Sequence, residues 1–253
     1  MILGAIGLRR VNLNWLRQVS EALPCLVVIQ RPANMRFIKY ADYYFVSRRD
    51  LGFGTARALS MELCSKLDTK CIVTDGDGQY PHSSISKFAK ALSATTKEVL
   101  IPQRTNRSVW IRVEGSMVDR SEIEDFENYC ALRDVGGFRV PTNFDMQPGL
   151  LGFKSRVLPQ IRPDEPGWLA DWEISLKVIK HAKFGTVKLE TDSKAQKVTT
   201  FTLRDEVEKL RKMQSYMHSS LSRIYREYET RFEPQQKVLL RKLVSDAQKR
   251  TGK

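Results

Sequence analysis

Long hydrophobic runs are missing from this sequence of 253 residues. Apolar stretches such as Cys25 to Ile29 are far shorter than the roughly 20 residues that a transmembrane helix requires. Residues 1–8 also lack the charged leader and the small-residue cleavage site of a secretory signal, so we expect them to form a strand. The sequence therefore predicts no membrane-spanning helix.

Cysteine and histidine are both scarce, with four and three residues respectively. No cysteine pair has C-x-x-C spacing and no histidine pair has the spacing of metal ligands, which excludes the common zinc and dithiol modules. The G-x-x-x-x-G-K-S/T phosphate loop is absent as well. Four cysteines within apolar stretches fit a reducing compartment, so we expect a cytoplasmic protein.

Acidic residues are too few to balance the basic ones. The chain has 42 Lys and Arg against 29 Asp and Glu, a net charge of +13. Residues 201–253 alone carry 13 basic and 7 acidic side chains. This excess predicts an anionic partner, which charge alone does not identify.

The chain from residue 201 onward has a helical pattern of its own. Apolar residues recur at steps of three and four from Leu203 to Tyr228, and a second such series follows Pro234. This predicts two domains: an α/β domain over residues 1–200 and a basic amphipathic helical hairpin over 201–253. The hairpin would pack on the domain, form a homodimer, or lie on a membrane surface as a peripheral contact.

Short β-branched runs alternate with helical periodicity along the first 200 residues. This order predicts an α/β fold with a mostly parallel sheet, whose ligands bind beyond the carboxyl ends of the strands. The predicted strands are 2–8, 25–30, 43–47, 70–74, 99–102, 149–153 and 186–191. Residues 104–115 show no period and predict an active-site loop or lid, and helices are predicted over 121–132 and 170–182.

Two carboxylates follow the fourth predicted strand, in the stretch from Thr74 to Pro81 (T-D-G-D-G-Q-Y-P). Asp75 and Asp77 at a strand end can hold a divalent cation and a ribose hydroxyl together, and the glycines let the backbone approach a phosphate. An ordinary Asp-Gly turn that caps the following helix explains the same residues. Spacing alone leaves both interpretations open.

These residues resemble the nucleotide-sugar half of family-2 glycosyltransferases with the GT-A fold, and in motif they are closest to polyprenol-phosphate mannose and glucose synthases. The similarity runs from a glycine-rich turn at 52–57 to an Asp-x-Asp-x-Gln-x-Pro motif at 75–81. The similarity continues through Arg104 and Arg120. It then includes an aspartate and a glycine that leads into a strand, at 145–153, and a helix that begins with A-D-W-E at 170–173. It covers about residues 1–192.

The resemblance implies a glycosyltransferase and assigns roles to particular residues. Asp77 and Gln79 would be ligands of Mg²⁺ or Mn²⁺. Asp75 would contact either the ribose or the metal ion. Asp171 and Glu173 would be candidates for a general base, unless the acceptor is a phosphate, which needs none. The other residues carried over are Gly52, Arg57, Arg104 and Arg120 for donor binding and Asp145 for catalysis.

The implied partners are a GDP- or UDP-sugar donor and an acceptor such as a polyprenyl phosphate at the membrane surface, and we expect no nucleic-acid partner. The sequence departs from the family after its first two strands, where Arg9, Arg10 and Arg31 replace acidic contacts to the nucleoside. A catalytically weak, glycosyltransferase-like binding module that uses the basic hairpin is therefore the alternative. A sugar nucleotidyltransferase fits less well, because its glycine-rich loop follows the first strand.

Overall fold

The structure is a computed structural model that describes residues 1–105, 110–113, 116–136, 144–192 and 202–249. The chain divides into two compact units. The first comprises Met1–Asn106 and Met146–Asp192, and the second comprises Arg107–Asp145 and Ser193–Lys253. The predicted boundary at residue 200 stays a prediction, while these compact units place residues 107–145 with the carboxyl-terminal segment.

Within the described residues, seven strands of the first unit form one sheet in the order β3-β2-β1-β4-β8-β5-β9. All neighbouring pairs are parallel except those of β8, which runs antiparallel between β4 and β5. The α/β fold with a mostly parallel sheet is therefore confirmed. The strands of this sheet are β1 (Ile2–Leu8), β2 (Cys25–Gln30), β3 (Tyr43–Ser47), β4 (Lys70–Asp75), β5 (Val99–Arg104), β8 (Leu150–Lys154) and β9 (Phe184–Leu189).

The central strands contain continuous apolar runs, as expected where helices cover both faces of a parallel sheet. All six residues of β2 are buried, and so are the middle residues of β4. The α-helices in the described part of this unit are α1 (Leu13–Ser20), α2 (Phe53–Leu67), α3 (His82–Ala94), α5 (Leu158–Ile161) and α6 (Ala170–His181). Asn12 begins α1 because its side-chain oxygen accepts a hydrogen bond from the Trp15 amide.

The second unit contains a β-hairpin and helices. Its elements are β6 (Trp110–Val113), β7 (Ser116–Asp119), α4 (Ser121–Cys130), a π-helical turn (Ala131–Gly136), α7 (Leu203–Tyr216), α8 (Leu221–Phe232) and α9 (Lys237–Gln248). The prediction of an irregular loop over 104–115 was wrong for residues 110–113, which pair with β7. Residues 106–109 and 114–115 of that predicted loop lie outside the described residues.

The carboxyl-terminal hairpin also differs from its prediction, because the first helix is broken. Polar side chains satisfy the backbone between α7 and α8: Ser220 accepts from the Arg223 amide, and Gln214 accepts from the Leu221 amide. Asp134 accepts from the amides of His218 and Ser219. Caps of this kind stabilise helix ends, so one long helix becomes two.

The apolar face of α8 packs inside the second unit. Tyr225 and Tyr228 contact the ring of Phe126 on α4, with ring centroids 5.7 and 5.3 Å apart. Aromatic pairs at such distances stabilise a core beyond the area that they bury. The predicted homodimer and membrane contacts of 201–253 stay predictions. No helix among residues 1–105, 110–113, 116–136, 144–192 and 202–249 is long and apolar enough to cross a bilayer.

Candidate active site

The loop that carries the two aspartates lies at the carboxyl end of β4 and is fixed to the end of β1. The Gly76 amide donates to the Ile6 carbonyl at 2.7 Å, and the Asn12 amide donates to the Gly76 carbonyl at 2.7 Å. A Cβ atom at position 76 would lie 2.9 Å from Val11 Cγ1, so only glycine fits there without a shift. This loop is the crevice position at which open α/β sheets bind ligands.

Asp77, Gly78 and Gln79 form a tight turn after Asp75. The Asp77 carboxylate accepts a hydrogen bond from the Gln79 amide at 2.9 Å, and Gly78 has a φ of +83°, which favours glycine. Asn12 donates its side-chain amide to the Asp77 carbonyl at 3.3 Å. The predicted turn is therefore present in the backbone. The predicted cap was wrong, because α3 follows Pro81 without any side-chain cap and the Asp77 carboxylate bonds within the turn. The carboxylates and the Gln79 side chain nevertheless stay partly exposed at the strand end.

Arg57 links Asp75 to Asp171 from inside the protein. Its guanidinium, on α2, is 0% exposed and donates to both oxygens of Asp171 at 2.9 and 3.0 Å, and it lies 3.7 Å from an Asp75 oxygen. Burial alone would lower the pKa of Arg57, but the charges of Asp171 and Asp75 outweigh burial and raise that pKa above its usual value. Arg57 thus stays charged and holds two carboxylates from distant parts of the chain in one place.

Asp171 and Glu173 are both engaged with other groups. Both oxygens of Asp171 accept from Arg57. Glu173 accepts from the amides of Asp164 and Glu165 and lies 2.8 Å from the Lys177 ammonium. The general-base roles stay predictions, and this geometry disfavours both. A base needs a free lone pair within hydrogen-bond reach of the proton that it removes.

The glycine-rich turn at the start of α2 has a packing role. The amides of Gly54 and Thr55 donate to the Pro166 carbonyl, and a Cβ atom at Gly52 would lie 2.6 Å from that same oxygen. Gly52 also has a φ of +81°. The first turn of α2 is therefore occupied by backbone of the first unit. Donor binding by Gly52 stays a prediction that this contact disfavours.

Arg104 ends β5 opposite Leu189 of β9 and is partly exposed. Because β8 lies between β4 and β5, Arg104 is two strands away from Asp75 in the sheet order. An arginine side chain is long enough to cover much of such a distance. Its predicted role at a donor diphosphate stays a prediction.

Arg120 and Asp145 belong to the second unit. Arg120 is 12% exposed and pairs with Glu124 and Glu206, and Lys209 pairs with Glu127 at 2.6 Å in the same cluster. Burial alone would lower the pKa of Arg120. The surrounding carboxylates raise that pKa by more than burial lowers it, so the net shift is upward and the guanidinium stays charged. A cation compensated in this way has little charge left for a ligand, which disfavours donor binding by Arg120. Asp145 is 2% exposed, and its catalytic role stays a prediction.

Sequence reasoning missed three residues that shape the aspartate loop. Asn12 begins α1 and holds Asp77; Trp15 donates its indole N–H to the Tyr80 carbonyl at 2.7 Å. Tyr80 is buried, and its hydroxyl donates to the Pro148 carbonyl. An Asn before an apolar-periodic run is a recognisable helix start, which would have indicated Asn12. No sequence signal indicates the contacts of Trp15 and Tyr80.

The donors at this loop fit a hard divalent cation. Two carboxylates and one side-chain amide supply oxygen atoms only, which Mg²⁺ and Mn²⁺ prefer. Among the described residues, no group of three or more His, Cys, Asp or Glu is placed to hold a metal ion by itself. Mg²⁺ commonly needs just one or two protein carboxylates, because substrate phosphates complete its coordination.

Comparison with known proteins supports the architecture. No family model matches the sequence, and a search of curated proteins gave no match. The structure is similar to glucosyl-3-phosphoglycerate synthase from Mycobacterium tuberculosis in complex with UDP, with a TM-score of 0.59, 11% identity, and coverage of 85% of this chain and 79% of that chain. For the same enzyme with Mn²⁺, UDP and phosphoglyceric acid, the TM-score is 0.57 at 10% identity, with 85% and 78% covered. The chain therefore has the α/β fold of the GT-A glycosyltransferases.

Proposed function

We propose that this protein is a metal-dependent, inverting glycosyltransferase that moves a sugar from a nucleotide-diphosphate sugar to an acceptor. The observation that carries the proposal is the pair of carboxylates, Asp75 and Asp77, at the carboxyl end of β4, with Arg57 and Asp171 beside them. The similar synthase was solved with UDP and with Mg²⁺ or Mn²⁺. UDP is therefore our first candidate nucleotide.

Each residue of the site has a separate task in this proposal. Asp77 and Gln79 would hold Mg²⁺ or Mn²⁺, and Asp75 would bind the ribose or the ion. A bound divalent cation offsets the negative charge that develops on the leaving diphosphate. The Arg57 guanidinium attracts the Asp75 carboxylate across the 3.7 Å ion pair. Asp171 in turn fixes Arg57, so we assign Asp171 to positioning rather than to proton transfer.

The engagement of Asp171 and Glu173 favours an acceptor that needs no general base. A phosphate oxygen of the acceptor is already ionised at neutral pH. It can attack the anomeric carbon directly, while the bond from that carbon to the donor diphosphate breaks and the nucleotide leaves with the electron pair. This is why we propose a phosphate-bearing acceptor, with polyprenyl phosphate at the cytoplasmic membrane surface as the candidate.

The test is calorimetric titration of UDP, GDP, CDP and dTDP with and without Mn²⁺. We expect one nucleotide to bind in a manganese-dependent way and Asp77→Asn to abolish that dependence. Asparagine keeps the oxygen that accepts from the Gln79 amide but removes the charge. The matched control is Glu21→Gln, which removes one exposed carboxylate at the end of α1 and should bind like the parent protein.

The second candidate is a binding module that holds a nucleotide without transferring sugar. The occupied oxygens of Asp171 and Glu173 favour it. Manganese-dependent binding with no hydrolysis or transfer of any sugar-linked form would select this candidate. Binding of no nucleotide, or unchanged manganese dependence in Asp77→Asn, would contradict the assignment of the site.

A further inference from the structure

Arginines follow three neighbouring strands at the same level of the sheet. Leu8 of β1 lies opposite Gln30 of β2, and Gln30 lies opposite Ser47 of β3. These three residues are the last of their strands, and the residue after each one is an arginine. The arginines at this edge are Arg9 and Arg10 after β1, Arg31 after β2, and Arg48 and Arg49 after β3.

Backbone hydrogen bonds hold this row in place. The Arg9 amide donates to the Gln30 carbonyl at 2.8 Å, and the Arg31 amide donates to the Ser47 carbonyl at 2.7 Å. Neighbouring strands lie about 4.8 Å apart, so the three backbones span about 10 Å. Arg9 and Arg31 are therefore fixed to the sheet itself, while Arg48 and Arg49 lie in the bend that follows β3.

The five side chains are exposed and have no acidic partner. In the described part of the chain, none of them lies within 4.0 Å of a carboxylate, whereas Arg57, Arg120 and Arg133 each form ion pairs. Like charges on neighbouring strand ends repel one another, and a bound anion relieves that repulsion. Asp50, which follows Arg49, accepts a hydrogen bond from the Gly52 amide instead. Among the described residues, direct ion pairs therefore do not neutralise the charge at this edge.

Two of these arginines also adopt backbone angles that usually favour glycine. Arg9 has a φ of +66° and Arg31 a φ of +48°. Left-handed angles are uncommon for residues with long side chains, and such outliers concentrate at functional sites. Arginine occupies both positions although glycine would fit the backbone with less strain. This is a second observation, independent of charge, that sets these residues apart.

We propose that Arg9, Arg10, Arg31, Arg48 and Arg49 form a phosphate-binding edge that takes an oligophosphate chain. The guanidinium group is planar and binds phosphate oxygens in pairs, and a row of about 10 Å accommodates more than one phosphate group. Because β1 lies beside β4 in the sheet, the edge adjoins the Asp75 to Gln79 loop. The inference rests on the proposed function in one respect: the ligand bound at this edge would also reach the Asp75 to Gln79 loop.

The oligophosphate has two chemical sources, a nucleotide or a free polyphosphate, and calorimetry distinguishes them. The full chain is titrated with tripolyphosphate, UTP and orthophosphate in the presence of a chelator, so that no divalent ion takes part. We expect tripolyphosphate to bind at least about tenfold more tightly than orthophosphate, since charged hydrogen bonds add up along the row. UTP binding more tightly than tripolyphosphate identifies a nucleotide, and equal binding identifies the phosphates alone as the ligand.

The decisive comparison uses two triple variants of equal charge. The edge variant is Arg9→Gln, Arg31→Gln and Arg48→Gln; the control is Arg17→Gln, Lys66→Gln and Lys90→Gln, three exposed cations on α1, α2 and α3. We expect the edge variant to lose at least about tenfold in tripolyphosphate affinity and the control less than about threefold, because distant charges are screened. Unfolding curves establish that both variants are folded.

Equal losses in the two variants would overturn the proposal, and so would the absence of tripolyphosphate binding by the parent protein. The result is separable from the proposed function. Tripolyphosphate binding needs neither Mn²⁺ nor Asp77, so the edge stands if the manganese-dependent nucleotide site fails. Manganese-dependent UDP binding without any oligophosphate binding would refute the edge alone.

Discussion

Asp171→Ala removes the main partner of a cation that water does not reach. The Arg57 guanidinium is 0% exposed, and Asp171 accepts two hydrogen bonds from it at 2.9 and 3.0 Å. In the variant, the remaining carboxylate is that of Asp75, 3.7 Å away and 33% exposed. Breaking a buried ion pair by removing one partner costs about 3 to 5 kcal/mol. Since Asp75 still compensates part of the charge, we expect Asp171→Ala to lower the free energy of unfolding by about 3 to 4 kcal/mol.

Thermal unfolding followed by circular dichroism measures this effect. For a chain of this size, 1 kcal/mol corresponds to roughly 2 to 4 °C in Tm, so we expect a decrease of about 6 to 16 °C. The control is Asp164→Ala: Asp164 is 78% exposed and pairs with Lys177 at the surface. Exposed pairs contribute at most about 1 kcal/mol, so this variant should stay within about 4 °C of the parent.

The double variant Arg57→Met/Asp171→Leu tests the physical reason for the loss. It removes both charges and fills the space with apolar atoms, which is often neutral for buried ion pairs. We therefore expect it to recover most of the stability that Asp171→Ala loses. A double variant as unstable as the single one would refute the explanation by uncompensated charge, and so would an Asp171→Ala protein that melts within about 2 °C of the parent.

Two further predictions concern stability. Burial, together with the nearby charge of Glu127, raises the pKa of Glu206 from 4.5 to about 7. The folded state therefore holds a proton that the unfolded state releases, and this contribution is complete below pH 4.5 and lost as pH rises through 7. Melting curves at pH 5.5 and 8 should show lower stability at pH 8, and Glu206→Gln should reduce that difference; an unchanged difference would contradict the assignment. In Gly54→Ala, the new Cβ atom would overlap the Glu165 carbonyl. We expect a loss of more than about 1 kcal/mol, against less than about 0.5 kcal/mol for the exposed neighbour Thr55→Ala, and equal Tm values would show that the contact relaxes.

The pattern of apolar residues determined most of the first unit. The strands at 2–8, 25–30 and 43–47 were predicted with the bounds that the structure has, because buried parallel strands are continuous apolar runs between turns. The turn at Asp77 to Gln79 was equally local, since a short carboxylate and a glycine set it within four residues. Local chemistry therefore predicted both the sheet and the position of the aspartate loop.

Local patterns failed where distant side chains decide the structure. The break between α7 and α8 depends on Asp134, which is 84 residues from His218 in the chain. Apolar periodicity continued through that break, so the pattern predicted a single helix. A Ser before Leu221 was the one local signal for it.

The roles of charged residues also needed the tertiary structure. Sequence placed Arg57 and Asp171 in the same site but could not show that they bind each other, because 114 residues separate them. Likewise, Arg120 was predicted beside a donor diphosphate, and only the packing of Glu124 and Glu206 around it shows where its charge is compensated. The sequence thus determined which residues stand at the ends of the strands. The tertiary structure decided which of their charges are paired, since pairing depends on distances between segments that no local pattern encodes.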